Sequence, residues 1–214
     1  MLYRATRDGF KANDFWQRCA GKGPTLTIVK VCSHKCRNVH CVPAVIALQL
    51  LRLPHRDFRT ILPLSLCAQA ARNGFISGAF TPVSWPADAA TRIGYLPDPS
   101  GRTFLFSLVN AHGRAVKLRL KADQRAKALY LGGVGSGPGF GFGADLHLIW
   151  PSAANHSGGC LAVPSSFELD HETEAAAGLA PIAFAYDKTL LAGNRGEGYD
   201  SALFAAAEIE VYQL

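Results

Sequence analysis

The densest set of soft metal ligands is Cys32, His34, Cys36, His40 and Cys41, five thiol or imidazole groups within ten residues. Thiolates and imidazoles can together close a tetrahedral zinc site. Here His40 sits directly beside Cys41, so the two compete for position, and no second Cys/His pair follows a loop's length away. The spacing therefore predicts free thiols, no metal and no cofactor. A second conspicuous feature is the glycine run from Gly132 to Gly143. Glycine-rich loops can hold phosphate on their backbone N–H groups. This run lacks the spacing of a dinucleotide-binding turn, no Lys-Ser or Lys-Thr follows it, and Ser136 is not flanked by glycines as a nucleophile elbow requires. It reads instead as a tight bend between two strands, with Phe140 and Phe142 packed inward.

Hydrolysis needs a nucleophile, a base and an orienting acid. The candidates are Cys160, with His112, His147, His156 or His171, and Asp145 or Glu168. Nothing in their spacing selects a triad. Glu168, Asp170, Glu172 and Glu174 form an acidic run without the glycine-turned spacing of a calcium loop, and read as a solvated face. Glu208 and Glu210 alternate on the last strand and share one of its faces. That face meets either solvent or a partner.

These groups must be held by elements that the sequence outlines. Residues 8–21 read as a short helix, with Asp8 or Asn13 as N-cap, Gly21 as terminator, and Phe10, Phe15 and Cys19 on the buried side. Thr25–Lys30 alternates polar and apolar residues, the period of a half-buried strand. Further strands are expected at 75–80, 103–109, 116–120, 128–131, 146–150, 167–169 and 209–212, with a hairpin turn at Asn110–Gly113. Most gaps are too short for the crossover helices of a parallel sheet. The fold class is α+β: an antiparallel β-sandwich flanked by short helices.

Length and composition bound the rest. The chain of 214 residues can bury one core, so a single domain spanning 1–214 is expected. The opening residues Met1–Asp8 carry charges where a secretion signal needs an apolar core, which predicts a cytoplasmic protein. The longest apolar stretch, Cys41–Leu51, falls short of the about 18 residues that cross a bilayer. Six cysteines in a reducing compartment are expected to stay free. The net charge of +6 is concentrated in residues 31–70, which carry +4, leaving +2 for the remainder. A near-neutral body is not a nucleic-acid binder.

Residues 31–70 also contain no glycine, against 21 elsewhere, and four of the six cysteines. Removing them joins Lys30 to Ala71 and carries one strand into the next. Valine codons begin with GT, and a glutamine codon at Gln69 can end in AG, the boundary dinucleotides of an intron. Our hypothesis is that this segment is either a surface insertion or a retained intron read in frame. Transcripts that always contain it, with no genomic junction at its ends, exclude the second.

Several separated motifs then agree with one family. Leu2-Tyr3-Arg4 with Asp8-Gly9-Phe10, Gly74–Phe80 through Trp85, Phe104–Leu108, Gly139-Phe140-Gly141 with Asp145-Leu146, Leu191–Gly193 and the terminal Glu208–Leu214 together resemble the TLDc domain, in order and from end to end apart from 31–70. The resemblance implies a β-sandwich with short helices, a role in resistance to oxidative stress, and binding to peripheral subunits of the vacuolar-type proton ATPase, with no catalytic mechanism. Asp8, Gly9, Phe10, Gly78, Trp85, Gly139 and Gly141 take motif positions that turns and cores need anyway. Asp145, Glu208 and Glu210 are the expected partner-binding residues. The alternative is an uncharacterised hydrolase or thiol-based redox protein using Cys19 or Cys160. Many relatives carry extra N-terminal regions, and the chain starts at the first motif.

Overall fold

The structure is a computed structural model that describes residues 1–31, 75–110, 115–142, 145–149, 158–162, 166–170 and 201–214, with 158–162 and 201–205 described through their backbone. The inserted segment from Cys32, the Cys/His cluster in it, the 110–113 turn beyond Asn110, and His112, His156 and His171 lie outside the described residues.

Among the described residues twelve strands form two antiparallel sheets. The first sheet runs β11 (Phe167–Leu169), β6 (Val116–Leu120), β5 (Phe104–Val109), β3 (Ile76–Thr81), β2 (Thr25–Val31) and β12 (Ser201–Gln213), with the two-residue β1 (Tyr3–Arg4) on the far side of β12. The second runs from β12 through β10 (Gly158–Ala162), β9 (Leu146–His147), β8 (Pro138–Phe140) and β7 (Leu129–Gly132) to β4 (Ile93–Leu96) at its edge. Strand β12 serves both. Residues 201–205 pair with β10, and residues from Ala206 onward pair with β2, across a register shift between Ala206 and Glu208. Such irregularities let one strand turn a corner from sheet to sheet.

The sheets enclose a core to which the first contributes Val29, Leu105, Leu118 and Ile209, and the second Leu129, Leu131, Phe140 and Leu146. Helix α2 (Ala12–Cys19) closes it with Phe15, Trp16 and Cys19, and helix α1 (Ala5–Asp8) precedes α2. Thus one expected helix is two. Its predicted N-cap is displaced as well: the N-cap of α2 is Lys11, whose N–H donates to Asp14 Oδ2 at 2.9 Å, while Asp8 closes α1 and Gly21, at φ +74°, ends α2 as expected.

Strand β2 corrects the half-buried expectation, because every residue but Ile28 is buried. Thr25, Thr27, Val29 and Val31 face the main core, where the small threonines leave room for Trp85, whose Nε1–H donates to Thr25 Oγ1 at 3.2 Å. On the other face Leu26 joins Ile76, Phe106, Leu108 and Val109 in a second apolar cluster. Polarity along β2 therefore alternates without exposure alternating. Gly78 makes that second face possible: a methyl group there would collide with the Thr27 carbonyl and lie 2.5 Å from Phe106 Cζ, so the Phe106 ring covers the space.

Strands β2 and β3 are antiparallel neighbours, with Lys30 opposite Ile76 and Val31 N–H donating to Phe75 O at 2.9 Å. The 31–70 segment is thus inserted where a short hairpin turn would join two adjacent strands.

Candidate functional site

The motif residues from the two ends of the chain meet at one place. Tyr3 and Arg4 pair with Val211 and Glu210 through β1 and β12. Alternation then sends Tyr3 into the core, where its hydroxyl donates to Gly9 O at 2.6 Å, and puts Arg4 on the same face as Glu208 and Glu210. Arg4 Nε lies 3.0 Å from Glu208 Oε2 and 3.7 Å from Glu210 Oε1. Glu208 also accepts the Thr6 N–H at 3.0 Å, with a short bond from the Thr6 hydroxyl to its other oxygen. The first turn of α1 therefore finds its missing acceptor on the last strand, 202 residues away. Glu210 accepts the Tyr212 hydroxyl at 2.7 Å.

Asp8 completes the cluster. It accepts the Arg4 N–H at 2.9 Å and pairs with Arg7 at 2.6 Å and Arg18 at 3.3 Å. The hydrogen bond from Arg7 lowers the Asp8 carboxyl below its ordinary pKa, outweighing the opposing effect of burial. The acids lie inside and the bases outside: the Asp8 side chain is 4% exposed, whereas those of Arg7 and Arg18 are 50% and 56% exposed. Gly9 permits this packing because at φ +109° it turns the chain over Asp14, whose carboxylate occupies the place of a Cβ.

Asp145 is fully buried, and its Oδ2 accepts the Ser166 N–H at 2.8 Å. Ser166 Oγ in turn accepts the Phe142 N–H at 2.7 Å. Asp145 precedes β9 in the second sheet and Ser166 precedes β11 in the first, so the bond ties the two sheets. Gly141, at φ +84°, leaves the space that the Asp145 carboxylate fills. All three expected partner-binding acids therefore have internal acceptor roles, and Glu208 and Glu210 hold Arg4.

The profile of the TLDc domain matches residues 1–214, the whole chain. This chain belongs to the TLDc family. A search of the curated proteins found no match.

Within this TLDc chain the other motif residues take internal places. Trp85 is fully buried and packs edge-on against Phe15, Trp16 and Phe140, at 5.8, 5.5 and 5.9 Å between ring centres. Phe10 is partly buried against the same core. Gly139 stands between Tyr130 and His147 in register, and with no side chain there the two rings meet edge to face at 5.7 Å. The glycine run makes the expected bend, through a single helical turn, α3 (Gly133–Ser136), between β7 and β8. Phe140 points inward as expected, but Phe142 does not. It lies two residues beyond the buried Phe140, past the turn at Gly141, and is 46% exposed over Tyr95.

Of the hydrolytic candidates, His147 and Cys160 are brought together as direct backbone partners of β9 and β10. Burial holds the His147 imidazole below its ordinary pKa, and Nε2 faces the Ser136 carbonyl, which fixes its proton there. Glu168 pairs with Arg119 at 2.9 Å and Asp170 with Lys117 at 3.3 Å, a cross-strand charge ladder on β11 and β6. Among the described residues no three His, Cys, Asp or Glu groups are placed to share a metal ion. None of the described helices is long and apolar enough to cross a membrane.

Cys19 is fully buried, and burial, with Asp8 adding, pushes its thiol up to about 12. Its thiolate is therefore on the order of a thousandfold scarcer at neutral pH than that of an ordinary cysteine. In the native protein Cys19 should resist alkylation and react fully after denaturation, as peptide mapping of labelled protein will show. Equal labelling in both states would contradict this placement.

What sequence reasoning missed is the basic side of the cluster: Arg4, Arg7 and Arg18. The four-residue spacing of Arg4 and Asp8 does not reveal it, since it is the Arg4 backbone N–H that reaches Asp8 while the side chain turns to Glu208.

Proposed function

We propose that this TLDc chain is a non-enzymatic interaction domain of the cytoplasm that binds peripheral subunits of the vacuolar-type proton ATPase and contributes to oxidative-stress resistance. The observation that carries the reading is the inside-out charge arrangement at the N-terminal face. Glu208, Glu210 and Asp8 are turned inward, where they fix α1 and Arg4, while the Arg7 and Arg18 guanidinium groups reach solvent. In this reading the acids serve binding by positioning, and the arginines touch an acidic surface of the partner. The burial of Cys19 supports binding over thiol chemistry at that residue. The pairing of Lys117 and Arg119 with acids supports a protein partner over nucleic acid.

Incubating the intact chain with assembled pump tests the proposal. Pump subunits should be retained on the immobilised chain, and ATP hydrolysis should change on its addition. No enrichment together with unchanged hydrolysis overturns it.

A further inference from the structure

Thr6 is exposed, yet the partner of its hydroxyl is not. The hydroxyl donates to Glu208 Oε2 at 2.5 Å, and the Thr6 N–H donates to Oε1 of the same carboxylate at 3.0 Å. The Glu208 side chain is 9% exposed, and that of Glu210, on the same strand face, is 8% exposed. An exposed residue thus supplies the donor that a buried acid binds. Its setting in the sequence is Arg4-Ala5-Thr6-Arg7, with a base on either side of the threonine. Such a segment suits a protein kinase whose substrate groove is acidic. The backbone holds it lightly: β1 has two paired residues, and α1 is a single turn closed by the Gly9 N–H to Ala5 O bond at 2.9 Å. Segments with so few backbone bonds open before the sheets do.

We propose that Thr6 is a phosphorylation site at which a protein kinase, with ATP as donor, unlocks the arginine-bearing N-terminal turn. The Thr6 hydroxyl oxygen attacks the γ-phosphorus of ATP. A new O–P bond forms as the bond to the bridging oxygen breaks, ADP leaves with that electron pair, and the hydroxyl proton passes to the kinase's carboxylate base.

The donor to Glu208 is thereby replaced by an acceptor group carrying about −1.5 to −2 charges. Phosphate is favoured at a helix start and disfavoured beside carboxylates. Here the second effect is the larger. The turn is only four residues long, and the Thr6 N–H that could serve the phosphate is already bonded to Glu208. Glu208 and Glu210 are nearly out of water, where charges are screened least. Arg4 Nε already faces both acids, at 3.0 and 3.7 Å, and Arg7 is held by Asp8 through bonds of 3.0 and 2.6 Å. The turn therefore leaves the last strand and takes Arg7 with it, so the basic face loses its arrangement. This rests on the reading of that face as the binding surface and adds to it a means of control.

The full chain made with phosphothreonine at position 6 is compared with the unmodified chain and with Thr6→Ala, which removes the hydroxyl without adding charge. The N–H groups of Arg4, Thr6 and Gly9 are bonded to Asp8, Glu208 and Ala5. Their exchange should quicken roughly tenfold or more in the phosphorylated chain and far less in Thr6→Ala, with β2 and β3 unchanged in all three. Affinity for assembled pump should fall roughly tenfold on phosphorylation. The cyclic-AMP-dependent protein kinase, supplied with ATP, should place phosphate on Thr6 of the folded chain, as peptide mapping will show. Unchanged exchange in the phosphorylated chain, equal quickening in Thr6→Ala, no phosphate on Thr6, or undiminished pump affinity despite faster exchange overturns the proposal. Pump capture by a chain whose N-terminal exchange ignores the phosphate removes this switch and leaves the functional reading standing. Faster exchange with no pump capture by either form does the reverse.

Discussion

Glu208→Ala should cost about 3 kcal/mol of stability and release the N-terminal segment from the last strand. The side chain accepts two hydrogen bonds from Thr6 and one from the Ile209 N–H at 3.2 Å, besides its ion pair with Arg4. Its removal leaves the Thr6 N–H without an acceptor at the first turn of α1, and strand β1 has only two paired residues to keep the segment in place. Arg4 is a third exposed and keeps Glu210 within 3.7 Å, so its own loss is modest. Urea unfolding gives the total, and amide exchange locates it. The amides of residues 2–8 should lose protection before those of β2, β3 and β5. Uniform loss across all strands would mean that Glu208 supports the sheet and not the N-terminal segment.

The second large effect is expected at Trp85, where truncation to alanine should cost about 4 kcal/mol and lower the melting temperature by roughly 10 °C. Three aromatic neighbours surround it, from α2 (Phe15 and Trp16) and from β8 (Phe140), and its ring N–H is bonded to Thr25 in β2. It therefore joins both sheets and the helix. An alanine leaves a cavity that these elements cannot all close into, together with an unbonded Thr25 hydroxyl. Trp85→Phe should lose about half as much, since it keeps most of the ring contacts and forfeits the hydrogen bond. A melting temperature unchanged in Trp85→Ala would contradict the placement of this residue at the centre of the core.

The strand pattern was legible where the sequence alternates. Strands β2, β3, β5, β6, β7 and β11 lie within a residue or so of the expected segments. Strands β1, β4, β8 and β10 were not foreseen. Strand β10 opens on two glycines, β8 has three residues with Gly139 at their centre, β1 has two residues, and β4 carries Gly94 in place of an inward side chain. Such segments have too few side chains to display a period. The 13-residue length of β12 was equally hidden, because alanines at 202 and 205–207 give no polar alternation ahead of Glu208.

At the candidate site the sequence offered the acids but not their partners. Arg4 and Glu208 stand 204 positions apart, and nothing local announces that they meet. Charge beside a strand was read as available for a partner because packing seldom needs it. The fold supplies another use, in which a buried carboxylate gives an acceptor to a helix start that has none of its own. Asp145 has the same kind of role between the sheets, receiving the Ser166 N–H. Trp16 was likewise missed, although its ring N–H donates to Gly133 O at 2.7 Å and fastens α2 to the glycine bend. Position on a short helix with uncertain ends did not reveal which face it occupies.

The central claim is that a face of outward arginines on inward acids binds the peripheral part of the proton pump. The direct measurement is the affinity of the intact chain for assembled pump, compared with that of Arg7→Gln combined with Arg18→Gln. The account predicts saturable binding by the native chain and a loss on the order of tenfold in the variant, with the difference shrinking as salt is raised. Undiminished affinity in a variant that melts like the native chain, or no binding by either, would contradict it.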